Sequence, residues 1–199
     1  MEQRRRPTSA GDRRAATHAE LLSLGVARFP VKGYSATSIE DVLRGTHHSK
    51  GSFYHHFASK EAYFLAVMRR RGEMMEETWQ RLDRDVETLA DGLAAAGVWL
   101  DDDEGSLPDT LLLAEFRFAA QGKPALLAEL AGLYERWIDQ LTVLLELLAA
   151  RDLIRTDRSP RDLASSVYHL TDGYVVHAAV FGSDVASLRP DLIRLLAPA

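Results

Sequence analysis

The sequence predicts an all-α protein of about nine helices, with three short helices at the N-terminus and longer ones after them. Three observations support this prediction. Apolar residues recur at helical spacing along most of the 199 residues, and the alternation typical of strands is almost absent. Capping residues, glycines and prolines divide the pattern into segments of helical length. All-α is therefore the predicted fold class.

The first two helices are predicted from local signals. Apolar residues between Leu21 and Phe29 recur at the spacing of one helical face. Pro30 is expected to end this helix, because proline biases the preceding residue away from helical geometry. Thr37 and Glu40 have the spacing of a capping box, which predicts the start of a second, short helix.

A tight turn precedes the third predicted helix, which Ser49 can cap. Two short helices joined in this way form a helix-turn-helix, whose second helix enters the major groove of DNA. The segment 49–57 suits that helix chemically. Lys50 supplies a cation for a phosphate or a guanine edge, whereas Phe53 and Phe57 are spaced to face inward. The sequence thus predicts a DNA-reading surface around Lys50.

Longer helices with short breaks are predicted for the rest of the chain. Ser59 can cap the first of them, and Gly-Lys-Pro and Ser-Pro sequences mark two of the later breaks. The predicted helices cover residues 60–82, 86–99, 108–121, 124–151, 160–181 and 185–196.

The composition excludes several classes of protein. With 46% hydrophobic and 27% charged residues, the chain matches folded globular proteins rather than disordered ones. Cysteine is absent, which excludes disulfides, a thiolate nucleophile and cysteine-ligated zinc. No apolar run approaches the roughly 18 residues of a membrane helix. We therefore expect a cytoplasmic protein with no membrane partner.

The net charge of −5 is unevenly distributed. Residues 1–60 carry ten Lys or Arg and five Asp or Glu, a net +5, whereas residues 61–199 carry a net −10. Five of the seven histidines also lie in the first sixty residues. A basic head on an acidic body indicates that the head alone meets a polyanion such as DNA.

Two motifs in the head resemble those of the tetracycline-repressor (TetR) family. They are Gly-Tyr-Ser-Ala-Thr-Ser-Ile at 33–39 and Ser-Lys-Gly-Ser-Phe-Tyr-His-His-Phe-Ala-Ser-Lys-Glu at 49–61, and the resemblance covers about residues 12–68. It implies a homodimeric bacterial transcription regulator, usually a repressor, that a small-molecule effector releases from a palindromic DNA operator. It also implies a helix-turn-helix domain with a basic N-terminal arm at 1–60, and a ligand-binding and dimerisation domain at 61–199.

Carried over residue by residue, the resemblance implies a set of DNA-contacting positions. They are Thr37, Ser38, His48, Ser49, Lys50, Gly51, Ser52, Tyr54, His55 and Lys60. The sequence departs from the family pattern in the turn, where Gly-Val is common and this chain has His47 and His48. His47 therefore falls at a position where a positive φ is expected.

The body offers candidates for an effector pocket and a dimer interface. The pocket candidates are Trp99, Phe116, Trp137, His169, Asp172 and Tyr174. The helices predicted at 124–151 and 160–181 carry more apolar surface than a monomer core needs, so we expect them to form a four-helix bundle with a second copy. The interface candidates are Leu141, Leu144, Leu148, Val167, Gly173 and Ala178.

Other interpretations of the sequence stay open. The regulator could answer to a protein partner instead of a small ligand, or the body could be a small enzyme using His169 and Asp172, although no nucleophile accompanies them. The arginines at 4–6 and 13–14 fit either a DNA-contacting arm or a solubilising tail. No cofactor and no metal are expected, because no carboxylate or cysteine lies at ligand spacing among the paired histidines.

Overall fold

A computed structural model describes residues 9–80, 86–95 and 108–198. Those residues form nine helices and no strand, which confirms the all-α prediction. The helices are α1 (Ala10–Ala36), α2 (Ile39–Leu43), α3 (Lys50–His56), α4 (Lys60–Trp79), α5 (Leu89–Ala95), α6 (Asp109–Ala119), α7 (Pro124–Ala149), α8 (Pro160–Phe181) and α9 (Leu188–Leu196). Within the described ranges, no helix is long and apolar enough to cross a membrane.

An aromatic core fastens the three N-terminal helices to α4. Tyr63 of α4 is fully buried, and its ring lies 4.9 Å from that of Phe53 and 4.8 Å from that of Phe57. The Tyr63 hydroxyl donates a 2.6 Å hydrogen bond to the carbonyl of Leu21 on α1. Gly25 lets α1 approach this closely, since a Cβ there would stand 2.5 Å from the Tyr63 hydroxyl oxygen. The orientation of α3 therefore depends on α1 and α4.

The first helix does not end at Pro30 as predicted. The structure carries α1 through Pro30 to Ala36, with a kink at Gly33, where φ is +83°. Proline removes only its own backbone donor, and this residue lies buried near the end of the helix. The break comes instead at the glycine, because a residue without a Cβ adopts positive φ without strain.

The capping box of α2 lies one residue later than predicted. Ser38 Oγ accepts from the Asp41 amide and Asp41 Oδ2 accepts from the Ser38 amide, both at 3.0 Å. Thr37 is unavailable for this role, because it is buried and donates a 2.7 Å hydrogen bond to the Gly33 carbonyl across the kink. The Thr37–Glu40 box is therefore wrong, although the predicted start of a helix is right to within one residue.

The body consists of α4 to α9 around a second, leucine-rich core. Helix α7 packs along α8, α8 packs on α9, and α6 packs on both α1 and α8. Helix α6 thereby touches the head and the body at once. Part of the fifth predicted helix, including Trp99, lies outside the described residues.

Candidate nucleic-acid interface

Helix α3 presents one apolar and one polar face. Ser49 caps it by accepting a 3.1 Å hydrogen bond from the Ser52 amide. Phe53 is fully buried, and Phe57 just after the helix is nearly so. On the outer face, Tyr54 keeps 54% of its surface exposed. Of the other predicted contacts here, Ser49, Lys50, Gly51 and His55 are exposed, whereas Ser52 is half-buried.

The Lys50 ammonium already has an anionic partner. It forms an ion pair with Glu40 of α2, and both side chains are more than half exposed. The hydrogen bond from Lys50 lowers the pKa of Glu40, and the same bond raises the pKa of Lys50. Lys50 is therefore charged at neutral pH, and a DNA phosphate must compete with Glu40 for it.

Not all predicted DNA contacts reach the surface. Thr37, a predicted contact, is only 1% exposed, so its side chain is not accessible to DNA in this structure. The His48 imidazole is 6% exposed and lies 3.1 Å from the carboxylate of Glu20. Ser38 is half-buried and donates its hydroxyl hydrogen to Asp41 at 2.6 Å.

Lys60, the last predicted contact, turns back towards the protein. Its ammonium lies 4.3 Å from the centre of the Tyr34 ring and 3.4 Å from the Ser35 carbonyl oxygen. Burial lowers the pKa of Lys60. Burial also raises the pKa of Tyr34 to about 12, so the cation faces a neutral ring. Lys60 thus stabilises the chain before α2.

The helix-turn-helix turn takes its left-handed residue from Gly45, at φ +77°. His47 does not have a positive φ, so that prediction is wrong. The Thr46 hydroxyl donates to the Leu43 carbonyl at 2.8 Å and accepts from the His48 amide at 3.2 Å. Gly45 and the Thr46 hydrogen bonds thus complete the turn, so neither His47 nor His48 needs a strained backbone conformation.

One carboxylate that sequence reasoning missed joins the body to the head. Glu115 of α6 accepts a 2.8 Å hydrogen bond from the Ser35 amide. The same carboxylate sits where a Cβ on Gly33 would be, 2.5 Å from that position. Eighty residues separate Glu115 from Ser35, so only a contact prediction could have found the pair. Through this hydrogen bond α6 contacts the turn between α1 and α2 directly.

The body contains a cluster of buried polar groups between α4, α6, α7 and α8. Arg71 Nε lies 2.7 Å from Asp109 Oδ1, and both atoms are buried. Thr110 donates a 2.5 Å hydrogen bond to Asp172. Burial raises the pKa of both aspartates. The indole N–H of Trp137 is buried and has no hydrogen-bond partner among the residues that the structure describes, and it lies against Gly72.

The predicted pocket residues fall into different environments. Trp137 and Asp172 both belong to this polar cluster. Tyr168 lies close to both: its hydroxyl donates to the Trp137 carbonyl at 3.4 Å, and the Asp172 charge adds to the effect of burial in raising the pKa of Tyr168. Phe116 is fully buried against Phe64. The remaining described candidates lie elsewhere, with His169 exposed and Tyr174 bonded to Asp191 of α9.

The predicted interface residues mostly serve the protomer itself. Four of them are buried in its own core and are not accessible to a second copy: Leu141, Leu144, Leu148 and Val167. Gly173 is exposed and Ala178 is half-buried. The leucine-rich pattern of α7 therefore reflects packing inside the protomer, where α7 lies against α8 and α4.

A basic three-helix head with an exposed polar recognition helix, on a helical body, defines a helix-turn-helix DNA-binding regulator. The comparisons agree with this class. Residues 21–67 match the description "Bacterial regulatory proteins, tetR family", and residues 93–195 match "BetI-type transcriptional repressor, C-terminal". The chain belongs to the TetR family and is a DNA-binding transcriptional regulator rather than an enzyme.

Individual relatives show how the likeness is distributed. The chain is 26% identical over 209 residues to the transcriptional regulator AcuR of Cereibacter sphaeroides, covering 94% of this chain and 84% of AcuR. It is 50% identical over 50 residues to the repressor KstR2 of Mycobacterium tuberculosis, covering 25% of each. The structure of E. coli NemR in its reduced form superimposes with a TM-score of 0.70 at 20% identity, over 91% of this chain and 97% of that one.

Proposed function

We propose that the protein is a homodimeric repressor that a small-molecule effector releases from a palindromic operator, in the cytoplasm and on the nucleoid. One observation carries the proposal: α6 bonds the head through Glu115 and also carries Asp109 and Thr110 of the buried polar cluster. A ligand that moves α6 therefore acts on the turn that positions α2 and α3. The relatives named as repressors support the direction of control.

The dimer would form through α7 and α8. These helices pack on each other, and both carry large apolar side chains that the protomer leaves exposed. They are Val143 and Leu147 on α7, and Val176, Val180 and Phe181 on α8. Covering them with the same helices of a second copy buries apolar surface and presents two α3 helices to one duplex.

The buried polar cluster is the proposed effector site. A buried indole N–H with no partner in the described part of the chain calls for an acceptor, because an unsatisfied buried donor costs roughly 1–3 kcal/mol. Tyr168 and Tyr134, whose rings lie 5.6 Å apart, border this region with flat apolar surface. We infer an effector that combines an aromatic or apolar body with a hydrogen-bond acceptor for Trp137.

Thermal-shift screening of metabolites against the full chain tests the effector. A ligand present at 100 times its dissociation constant adds about 2.7 kcal/mol of stability. We expect a hit to stabilise the parent and to lower its DNA affinity, and we expect Trp137→Phe to lose most of both effects. Tyr174→Phe, which alters a hydroxyl bonded to α9, is the control. A hit that acts equally on Trp137→Phe contradicts the assigned site.

Glu115→Gln tests the path from the body to the head. The amide keeps the size of the side chain but weakens the charge-assisted hydrogen bond to the Ser35 amide. We expect effector binding to be retained while its effect on DNA affinity falls several-fold. Glu129→Gln, which removes an exposed ion pair of α7 with Arg69, should leave the response unchanged. An unaltered response in Glu115→Gln would show that the signal takes another route.

A further inference from the structure

Three side chains with metal-ligand atoms meet beside the recognition helix. His48 Nε2 lies 3.1 Å, and His47 Nε2 3.9 Å, from Oε2 of Glu20 on α1. The two imidazole centres are 4.1 Å apart. Among the residues that the structure describes, this is the only group of three or more such side chains whose ligand atoms all lie within 4.8 Å of one another.

The donor set selects a class of ion. Two imidazole nitrogens and one carboxylate oxygen suit zinc and neighbouring divalent transition metals, whereas magnesium and calcium prefer oxygen ligands alone. Bonds of about 2.0–2.2 Å to one tetrahedral ion place its ligand atoms about 3.3–3.5 Å apart. The two distances to Glu20 Oε2, 3.1 Å from His48 and 3.9 Å from His47, lie just below and just above this range, and the His47 side chain is exposed and can rotate.

The cluster is also partly organised without an ion. The His48 ring is held in place by the fold, because only 6% of its side chain is exposed, and its amide is bonded to Thr46. His47 is 81% exposed and Glu20 is half exposed, so both can move towards an ion that His48 anchors. A fixed ligand with two adjustable ones lowers the conformational entropy lost on binding.

We propose that Glu20, His47 and His48 bind one divalent transition-metal ion, with a fourth position left to water or a DNA phosphate oxygen. The ion joins α1 to the helix-turn-helix turn. It changes the charge of the cluster from −1 to +1 next to Ser49, the cap of α3. Metal binding should therefore tighten DNA binding, because positive charge at this edge of the interface attracts phosphates.

Calorimetric titration of the full chain with zinc chloride and with nickel chloride tests the site. We expect one ion per chain, and a loss of affinity of roughly tenfold or more in Glu20→Gln and in His47→Ala. Both substitutions are at exposed positions, so circular dichroism should show an unchanged fold. The control is His55→Ala, an exposed histidine of α3 outside the cluster, which should bind the ion like the parent.

Two results would overturn the site: no binding by the parent, or equal binding by the parent and the two cluster variants. The DNA effect is measured separately, by titrating a duplex with and without zinc at fixed salt. A several-fold tightening in the parent that is absent in His47→Ala supports the regulatory step, and equal affinity with and without zinc overturns it. DNA binding in the presence of a chelator reports on the regulator function alone, so the two failures are distinguishable.

Discussion

The outer face of α3 and the polar cluster of the body, the two proposed functional surfaces, are built in opposite ways. The first consists of neighbours in sequence on a seven-residue helix, with two phenylalanines behind it and solvent in front. The second joins residues as far apart as Arg71 and Asp172, and its buried atoms include Arg71 Nε, Asp109 Oδ1 and the Trp137 indole nitrogen. A surface formed by residues close in sequence can be predicted from a motif, whereas a surface formed by four packed helices cannot.

The two surfaces also differ in how they meet their ligands. We expect DNA to bind α3 by replacing weak, exposed contacts such as the Lys50–Glu40 ion pair. A ligand in the body must instead satisfy or replace buried groups, such as the Trp137 N–H. Substitutions on α3 should therefore change affinity and leave stability alone, whereas substitutions in the packed regions should change both.

Gly25→Ala should have the largest effect, because Gly25 lies in the packing between α1 and α4 that holds α3 in place. The added Cβ would stand 2.3 Å from Val67 Cγ2, so α1 and α4 must move apart. We expect a loss of about 1–3 kcal/mol in the free energy of unfolding, measured by urea denaturation. Gly132→Ala is the control, since its nearest neighbour is a flexible arginine end at 3.7 Å. Equal stability of the two variants would contradict the close α1–α4 packing.

Tyr54→Ala and Lys50→Ala should weaken DNA binding without lowering stability. We expect about 1–3 kcal/mol for Tyr54, with altered sequence preference, and about 1 kcal/mol for Lys50, with a salt dependence reduced by roughly one phosphate contact. Fluorescence anisotropy at several salt concentrations measures both effects. If either variant has a lower free energy of unfolding than the parent, its side chain also stabilises the fold, which would contradict the prediction that this face serves DNA binding alone.

Glu40→Gln should tighten DNA binding, by about two- to fivefold. The substitution removes the carboxylate that competes with DNA phosphates for Lys50. The effect should disappear in the double variant with Lys50→Ala, and it should shrink as salt rises. A gain in affinity that survives Lys50→Ala would mean that Glu40 repels DNA directly.

The ion pair between Glu61 and Lys123 should give the smallest effect. Lys123 holds the pKa of Glu61 at about 2, below its ordinary value of 4.5. Because the folded pKa is depressed, this contribution is fully present above pH 4.5 and is lost as the pH falls towards 2. Glu61→Gln should therefore lower the free energy of unfolding by up to about 1 kcal/mol near neutrality. Denaturation curves should show this difference vanish towards pH 2.

The limits of sequence reasoning follow the same division. The all-α fold, the start of α3 and the inward Phe53 depend on short-range patterns, and the sequence predicts them correctly. Thr37 illustrates the failure, because its hydroxyl closes a kink at Gly33 that no local rule foresees. Glu20 and Glu115 are further cases. Their partners, His48 and Ser35, are distant in sequence and come close to them only in the folded chain.

The central claim is that the outer face of α3 reads DNA as one half of a symmetric pair. Selection of duplexes from a random-sequence pool by the full chain tests it most directly. We predict that the parent enriches an inverted repeat, and that Tyr54→Ala enriches a different sequence or none. Enrichment of the same repeat with equal affinity by the variant, or of no symmetric sequence by the parent, would contradict the account.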